Sequence, residues 1–227
     1  MKCATSSEKF LIFAMLALLL IMALSAIHPY DRTTWFMEVA PIFIALPVMM
    51  ATCRRFPLTM LLYVLIFFHA LVLIAGGHYT YARVPLGIWI EHAFSLSRNT
   101  YDKIGHFMQG FVPFLVTREI LLRKGYLTSR RMVAFLSVCV VMAISAWYEL
   151  IEWWSALAMG QGADEFLGTR GDPWDTQSDM LFAFIGAMTA MILLLCRHDS
   201  QMSRMKPISR MKQGEQFDRN QANRCAR

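Results

Sequence analysis

The sequence is poor in charged residues. Only 17% of its 227 residues are Asp, Glu, Lys or Arg, against about a quarter in soluble domains. In contrast, 56% of the residues are hydrophobic and the mean hydropathy is +0.42. A water-soluble fold would struggle to bury so much apolar surface, whereas a lipid bilayer accommodates it. The scarcity of charge therefore argues against an ordinary soluble domain and predicts a membrane protein.

Several motifs of established chemistry are absent. The five cysteines form no pair with the spacing of a zinc or redox motif, and a disulfide framework is not expected. The sequence has no His-Glu-x-x-His motif, no Gly-x-Ser-x-Gly motif and no internal repeat. The net charge of +6 comes mostly from basic residues beside apolar segments or in the C-terminal tail. That distribution indicates membrane topology rather than binding of nucleic acid.

Six apolar segments have the length of membrane-spanning helices, which need about 20 residues. They cover residues 10–27, 35–52, 56–76, 101–122, 132–154 and 173–196. We therefore predict an all-α, polytopic membrane protein with a bundle of six transmembrane helices over residues 1–197. A basic tail over residues 198–227 lacks apolar periodicity and is expected to be disordered.

Local signals predict further details of these segments. Pro41 and Pro47 predict kinks in the second segment, and Gly76-Gly77 predicts the end of the third. A short interfacial helix is expected around residues 86–96. Asp172-Pro173 has the pattern of a helix N-cap followed by proline at the first helical position. The first segment is either an uncleaved anchor, which we favour, or a cleaved signal peptide.

Lysine and arginine are distributed unequally between alternate loops. One side of the membrane receives Lys2, Lys9, Arg54, Arg55, Arg123, Lys124, Arg130, Arg131 and the basic tail. The other side receives Arg32, Arg83, Arg98, Arg170 and, at a helix mouth, Lys103. Because basic residues are retained on the cytoplasmic side, this count predicts that both termini are cytoplasmic.

With this topology, several polar residues converge at the outer face. They are Asp102 and His106 at the start of the fourth span, Glu149 and Glu152 at the end of the fifth, and Asp175 and Asp179 at the start of the sixth. Ionisable groups inside a span are costly, so such a gathering predicts a functional site. Two carboxylates at offset three would repel each other unless a cation, a shared proton or a basic partner lies nearby.

Three motifs resemble those of the YjdF-type bacterial inner-membrane proteins. They are Tyr101-Asp102-Lys103-Ile104-Gly105-His106-Phe107, Glu149-x-x-Glu152 and Gly168-Thr169-Arg170-Gly171-Asp172-Pro173-Trp174-Asp175-Thr176-Gln177-x-Asp179-Met180. The likeness extends up to residue 197 and implies a multi-pass protein of the bacterial inner membrane, without implying a reaction. An Asp-Lys-x-x-His-Phe helix start, a later helix glutamate and an acidic loop are also similar, more weakly, to VanZ-type membrane proteins. Some of those are associated with resistance to glycopeptide antibiotics.

Our leading interpretation is a site at the periplasmic face that binds a divalent metal ion. The predicted catalytic residues are His106, Asp102 and Glu149, and the predicted metal ligands are His106, Glu149, Glu152, Asp175 and Asp179. Mixed imidazole and carboxylate ligands suit zinc, manganese or magnesium, and a metal-bound water would be the nucleophile. The expected substrate is an envelope lipid or a lipid-linked precursor, so membrane lipids are the expected partners.

Two alternatives remain open from the sequence. In the first, the same groups relay protons or bind cations in a transporter, which also needs polar residues in the cytoplasmic half of the spans. Arg118 and Glu119 are the main candidates there, but as neighbours they point in different directions. In the second alternative the polar groups only tie helix ends together, and their substitution costs stability rather than activity.

Overall fold

The computed structural model describes residues 6–159 and 173–205. The described part of the chain is helical and contains no strand, as predicted. Its helices are α1 (Ser6–Ser25), α2 (Arg32–Thr52), α3 (Met60–Tyr79), α4 (Pro85–Phe94), α5 (Tyr101–Arg123), α6 (Arg130–Met159) and α7 (Asp175–Ser203). A single 3-10 turn, Tyr81–Arg83, lies between α3 and α4.

Five of the described helices are long and apolar enough to cross a membrane. They are α1, α2, α3, α6 and α7. Helix α5 has 23 residues but is less apolar, because Asp102 and Lys103 lie near its start and Arg118 and Glu119 near its end. Several spans are therefore confirmed as candidates, while the sixth span and the cytoplasmic location of both termini stay predictions.

The predicted end of the third segment at Gly76-Gly77 is wrong. Helix α3 continues through both glycines to Tyr79. The ring of Tyr81 lies 2.6 Å from the position that a Cβ atom on Gly76 would occupy, and the Trp35 backbone lies 3.4 Å from that of Gly77. The glycines therefore allow close packing inside the helix rather than ending it.

Other boundaries differ by a few residues. Helix α7 begins at Asp175 rather than Pro173, and it continues to Ser203, so six residues predicted for the tail are helical. The predicted cap Asp172 and residues 206–227 lie outside the described residues. The short helix expected around residues 86–96 is confirmed as α4, which begins with Pro85 at its N-terminus.

The described residues divide into two compact units. The first unit contains residues 6–50, 65–105, 154–159 and 173; the second contains residues 51–64, 106–153 and 174–205. In the first unit, α1, α2 and α3 share a hydrophobic core of Leu18, Val39, Ile42, Ala70, Leu73 and Ile74. The α1–α2 connection is fixed by Ser25, whose Oγ accepts a hydrogen bond from Trp35 Nε1 at 3.0 Å.

In the second unit, α5 and α7 pack with their backbones close together. A Cβ atom on Gly110 would overlap the carbonyl group of Ala183, and one on Gly186 would overlap the carbonyl group of Phe107. The neighbouring buried positions on α7 are also small, Ala187 and Ala190. Small residues of this kind let membrane helices approach closely, and here they set the separation of α5 and α7.

The C-terminal end of α5 has a recognisable helix-capping motif. Gly125, with a φ of +68°, follows α5 in the left-handed conformation. The amide of Tyr126 donates to the Leu121 carbonyl and that of Gly125 to the Leu122 carbonyl, at 3.2 and 3.1 Å. These two bonds form a Schellman motif, which satisfies carbonyls at the helix end. The α5 helix therefore stops directly after Arg123.

Candidate functional site

Three helices of the second unit bring one histidine and two carboxylates together. Helix α5 carries His106, α6 carries Glu149 and α7 carries Asp179. One ligand atom from each side chain can be chosen so that all three lie within 4.8 Å of one another, and all three residues are buried. The described structure therefore confirms that these sequence-predicted site residues converge. We call this group the His106 cluster.

The close approach of α5 and α7 explains this convergence. Gly110 and Ala183 each lie four residues, or one helical turn, after His106 and Asp179 respectively. Because the two helices touch at Gly110 and Ala183, the side chains one turn earlier on the same faces lie opposite each other.

The distances from the His106 ring nitrogens to Glu149 Oε1 and Asp179 Oδ1 exceed the hydrogen-bonding range. The Nε2 atom of His106 lies 3.8 Å from Asp179 Oδ1, and its Nδ1 atom lies 3.9 Å from Glu149 Oε1. Two ligands of a tetrahedral zinc ion lie about 3.4 Å apart when each bond is about 2.1 Å. A small side-chain rotation would therefore bring His106 Nε2 and Asp179 Oδ1 to coordination distance, while Glu149, which lies on the Nδ1 side of the ring, must turn toward Nε2 to bind the same ion.

Gln109 orients the imidazole of His106. Its Oε1 atom lies 3.0 Å from His106 Nδ1, so the protonated Nδ1 donates to the amide oxygen. The lone pair of the imidazole is then on Nε2, the nitrogen near Asp179. A metal-binding histidine usually donates its second ring N–H to such an acceptor. No role for Gln109 was predicted from the sequence, so its part as the acceptor was missed.

The other predicted site residues lie around the cluster or outside it. Asp175 is buried one turn before Asp179, and their carboxylate oxygens lie within 4.8 Å of each other. Glu152 is half-buried one turn beyond Glu149 on α6 and is not part of the group of three. Asp102 belongs to the first unit, where its Oδ2 atom lies 3.6 Å from Lys103 Nζ.

An aromatic side chain borders the His106 cluster in the second unit. The rings of Tyr148 and His106 are 6.1 Å apart and nearly perpendicular, with an interplanar angle of 86°. Tyr148 precedes Glu149 directly on α6, so the same turn contributes a carboxylate and part of the wall beside the imidazole.

A second buried polar group lies near the other ends of α5 and α7. We call it the Glu119 network. Glu119 is fully buried and accepts hydrogen bonds from both Thr59 N (3.1 Å) and Thr59 Oγ1 (2.9 Å). It also contacts His198 Nε2 at 2.9 Å and pairs with Arg123 one turn later on α5. The network therefore connects the start of α3 to α5 and α7.

His198 connects two members of the Glu119 network. Arg118 donates to its Nδ1 atom at 3.1 Å, so Nδ1 carries no proton, and the protonated Nε2 donates to Glu119. Arg118 also pairs with Asp199, which in turn pairs with Arg130 at 2.6 Å. These bonds satisfy the buried groups with protein partners and indicate a structural tie.

Arg118 and Glu119, which were expected to point in different directions, nevertheless share one partner. Both contact His198, which joins them through its two ring nitrogens. The sequence assigned His198 to the tail, so this connection was missed. Residues Arg197 to Gln201 are all polar, so the apolar pattern gave no signal that the helix continues past Cys196.

The described structure and its polar clusters define a class, namely helical membrane proteins with several apolar helices and ionisable groups buried among them. The chain belongs to the family described as "Predicted membrane protein (DUF2238)", whose model matches residues 10–200. It is 58% identical over 189 residues to the "Inner membrane protein YjdF" of Escherichia coli (strain K12), covering 83% of this chain and 90% of that protein. No solved structure matches the chain.

These similarities confirm the predicted resemblance and location. The protein is a multi-pass protein of the bacterial inner membrane. The weaker likeness to VanZ-type proteins stays a prediction.

Proposed function

We propose that the protein binds a divalent metal ion in the His106 cluster and uses it to act on an envelope lipid or a lipid-linked precursor. The observation that carries this proposal is the convergence of His106, Glu149 and Asp179 from three helices, with ligand atoms within 4.8 Å of one another. Three buried groups of this kind, with an oriented imidazole, match the donor set of many metalloenzymes.

The donor set supports zinc, manganese or magnesium as the ion. One imidazole nitrogen and two carboxylate oxygens are borderline-to-hard ligands, which suit these three ions better than thiolate-seeking metals. Three protein ligands also leave a coordination position for water. Two buried carboxylates repel each other when both are ionised, and a cation between them relieves that repulsion.

The proposed reaction is hydrolysis. A metal ion lowers the pKa of its bound water and makes it a nucleophile at neutral pH. Asp175, whose carboxylate lies within 4.8 Å of that of Asp179, is the proposed acceptor of the proton that this water loses. The water oxygen forms the new bond to the phosphorus of a lipid phosphoester, the ester oxygen leaves, and the proton passes to that oxygen.

The proposed location of the site is the periplasmic side. It rests on the distribution of lysine and arginine, which assigns the start of α5, the end of α6 and the start of α7 to the outer face. Substrates reachable there are lipids of the periplasmic leaflet and lipid-linked precursors. Asp102, one turn before His106 on α5, stays a predicted catalytic residue.

The packing of α5 and α7 favours this proposal over a transporter. A transport route needs polar groups through the bilayer, but α5 and α7 touch backbone to backbone at Gly110 and Gly186. Along α7 the buried residues between Asp179 and His198 are Ala183, Gly186, Ala187 and Ala190. This segment of small residues separates the His106 cluster from the Glu119 network. The separation supports a site that substrates reach from one side of the membrane.

The test is the metal content of the full-length protein, purified without a histidine tag and loaded with zinc or manganese. We expect close to one ion per chain in the wild type and loss of that ion in His106→Ala and Asp179→Ala. His92→Ala is the matched control, since it removes an exposed imidazole of the first unit. Retention of the ion by folded His106→Ala would contradict the proposal.

A further inference from the structure

Ser145 on α6 is a fully buried serine whose hydroxyl group has no hydrogen-bond partner among the described residues. A serine inside a helix can usually donate to the carbonyl group four residues earlier. Ser137 does so on the same helix: it is also fully buried, and its Oγ atom donates to the Val133 carbonyl at 2.8 Å. The two serines thus share a helix and a degree of burial and differ in hydrogen bonding.

Burying a hydroxyl group without a hydrogen bond destabilises a fold. Each such group in a native structure calls for a reason, and one common reason is a missing ligand. Because the bond that Ser137 makes is also open to a helical serine at position 145, the orientation of Ser145 is better explained by a partner that binds separately.

The position of Ser145 indicates that this partner binds in the His106 cluster. Ser145 lies four residues before Glu149, so the two side chains share one face of α6. Their Cα atoms are about 6 Å apart along the helix axis. One bound water or oxyanion can bridge two side chains at this spacing.

We propose that Ser145 is a ligand-binding residue of the His106 cluster, and that its hydroxyl group hydrogen-bonds to an oxygen ligand of the bound metal ion. This inference rests on the proposed function. The oxygen belongs either to the metal-bound water or to an oxyanion, such as a phosphate group, that replaces it. Through this hydrogen bond Ser145 would orient the water or the substrate oxygen.

The test compares Ser145→Ala with Ser137→Ala in the full-length protein. Three quantities are measured in detergent: the affinity for Mn²⁺, the affinity of the Mn²⁺-loaded protein for inorganic phosphate, and the melting temperature without metal. We expect Ser145→Ala to weaken binding of Mn²⁺ or of phosphate about three- to tenfold, as for one lost hydrogen bond. Weaker Mn²⁺ binding identifies the metal-bound water as the partner, and weaker phosphate binding alone identifies an oxyanion.

The melting temperature separates this role from a structural one. Ser145→Ala removes an unsatisfied group and should leave the metal-free melting temperature unchanged or higher, whereas Ser137→Ala should lower it. Ser145→Thr, which restores a hydroxyl group, should recover binding. Unchanged affinities in Ser145→Ala, with normal binding by the wild type, would overturn the role of Ser145 and leave the metal site standing. Failure of the wild type to bind any metal would overturn both.

Discussion

The Nε2 atom of His106 on α5 lies 3.8 Å from the Oδ1 atom of Asp179 on α7. This distance is too long for a hydrogen bond and slightly longer than the separation of two ligands on one zinc ion, about 3.4 Å. Since Gln109 accepts a hydrogen bond from the protonated Nδ1, the lone pair of the ring is on Nε2, the nitrogen nearer to Asp179. A cation between these atoms would bind both.

Replacing the imidazole with a carboxylate should change the metal preference. In His106→Asp the three ligands become oxygens, which suit magnesium and manganese better than zinc. We expect the ratio of zinc to manganese affinity to fall at least about tenfold, measured by competition between the two ions. His92→Asp should leave the ratio at the wild-type value, and an unchanged ratio in His106→Asp would argue against His106 as a ligand.

Removing the acceptor of the His106 N–H should weaken the metal site without dismantling the fold. Gln109→Leu frees the imidazole to rotate and to change tautomer, and such losses typically reduce metal affinity about 10- to 100-fold. Gln109→Glu, which keeps an acceptor, should retain tight binding. The measurement is a metal titration of each purified variant.

Gln201 provides the matched control for Gln109. Its side chain accepts a hydrogen bond from the backbone N–H of Leu61 at 2.9 Å, away from the metal ligands. Gln201→Leu should lower stability and leave metal affinity unchanged. Equal metal affinity in Gln109→Leu and Gln201→Leu would show that Gln109 has no special part in the site.

The Glu119 network should contribute to stability rather than to metal binding. Glu119→Gln replaces a buried acceptor of several hydrogen bonds with a side chain that accepts fewer, and we expect a loss of about 3 kcal/mol in the free energy of unfolding. Arg130→Ala, which breaks a partly exposed ion pair with Asp199, should cost about 1 kcal/mol or less. Unfolding in mixed detergent micelles measures both.

The metal content of the same variants completes this prediction. Both Glu119→Gln and Arg130→Ala should bind one ion as the wild type does while folded. If Glu119→Gln keeps its stability but loses the ion, the two clusters are coupled and the network has a functional part.

The glycine contact between α5 and α7 should control the geometry of the metal site. Gly110→Ala introduces a methyl group where the Ala183 carbonyl lies, so the helices must move apart and His106 moves away from Asp179. We expect a loss of about 1–3 kcal/mol in unfolding free energy together with weaker metal binding. Thermal unfolding with and without zinc reports both effects.

Gly125→Ala separates these two effects. Gly125 has a positive φ and no neighbouring atom near the added Cβ, so the substitution strains the backbone at the end of α5 by about 1 kcal/mol without touching the α5–α7 contact. Metal affinity should therefore stay at the wild-type value. Equal metal affinities for Gly110→Ala and Gly125→Ala would contradict the link between helix packing and the site.

The sequence was sufficient to predict the convergence of His106, Glu149 and Asp179, because their order along apolar segments assigns them to one face of the membrane. It did not predict the acceptor role of Gln109 or the unbonded hydroxyl of Ser145. Those depend on side-chain rotamers and on the exact separation of α5 and α7, which the small residues at Gly110 and Ala183 determine. The periodicity of apolar residues in the sequence does not specify the separation of α5 and α7.

The misplaced boundaries have physical causes as well. Gly76 and Gly77 are weak helix formers, but the tertiary packing of Tyr81 and Trp35 against them keeps α3 helical. His198 and Asp199 are polar residues that usually end a membrane span, yet buried partners on α5 satisfy them. In both places, contacts distant in sequence override the local preference.

The most direct test of the metal site is an anomalous difference map, recorded at the zinc absorption edge, of the protein crystallised with Zn²⁺. The proposal predicts one strong peak about 2.0–2.2 Å from His106 Nε2 and from a carboxylate oxygen of both Glu149 and Asp179. A map with these three side chains well ordered and no peak between them would contradict the proposed function.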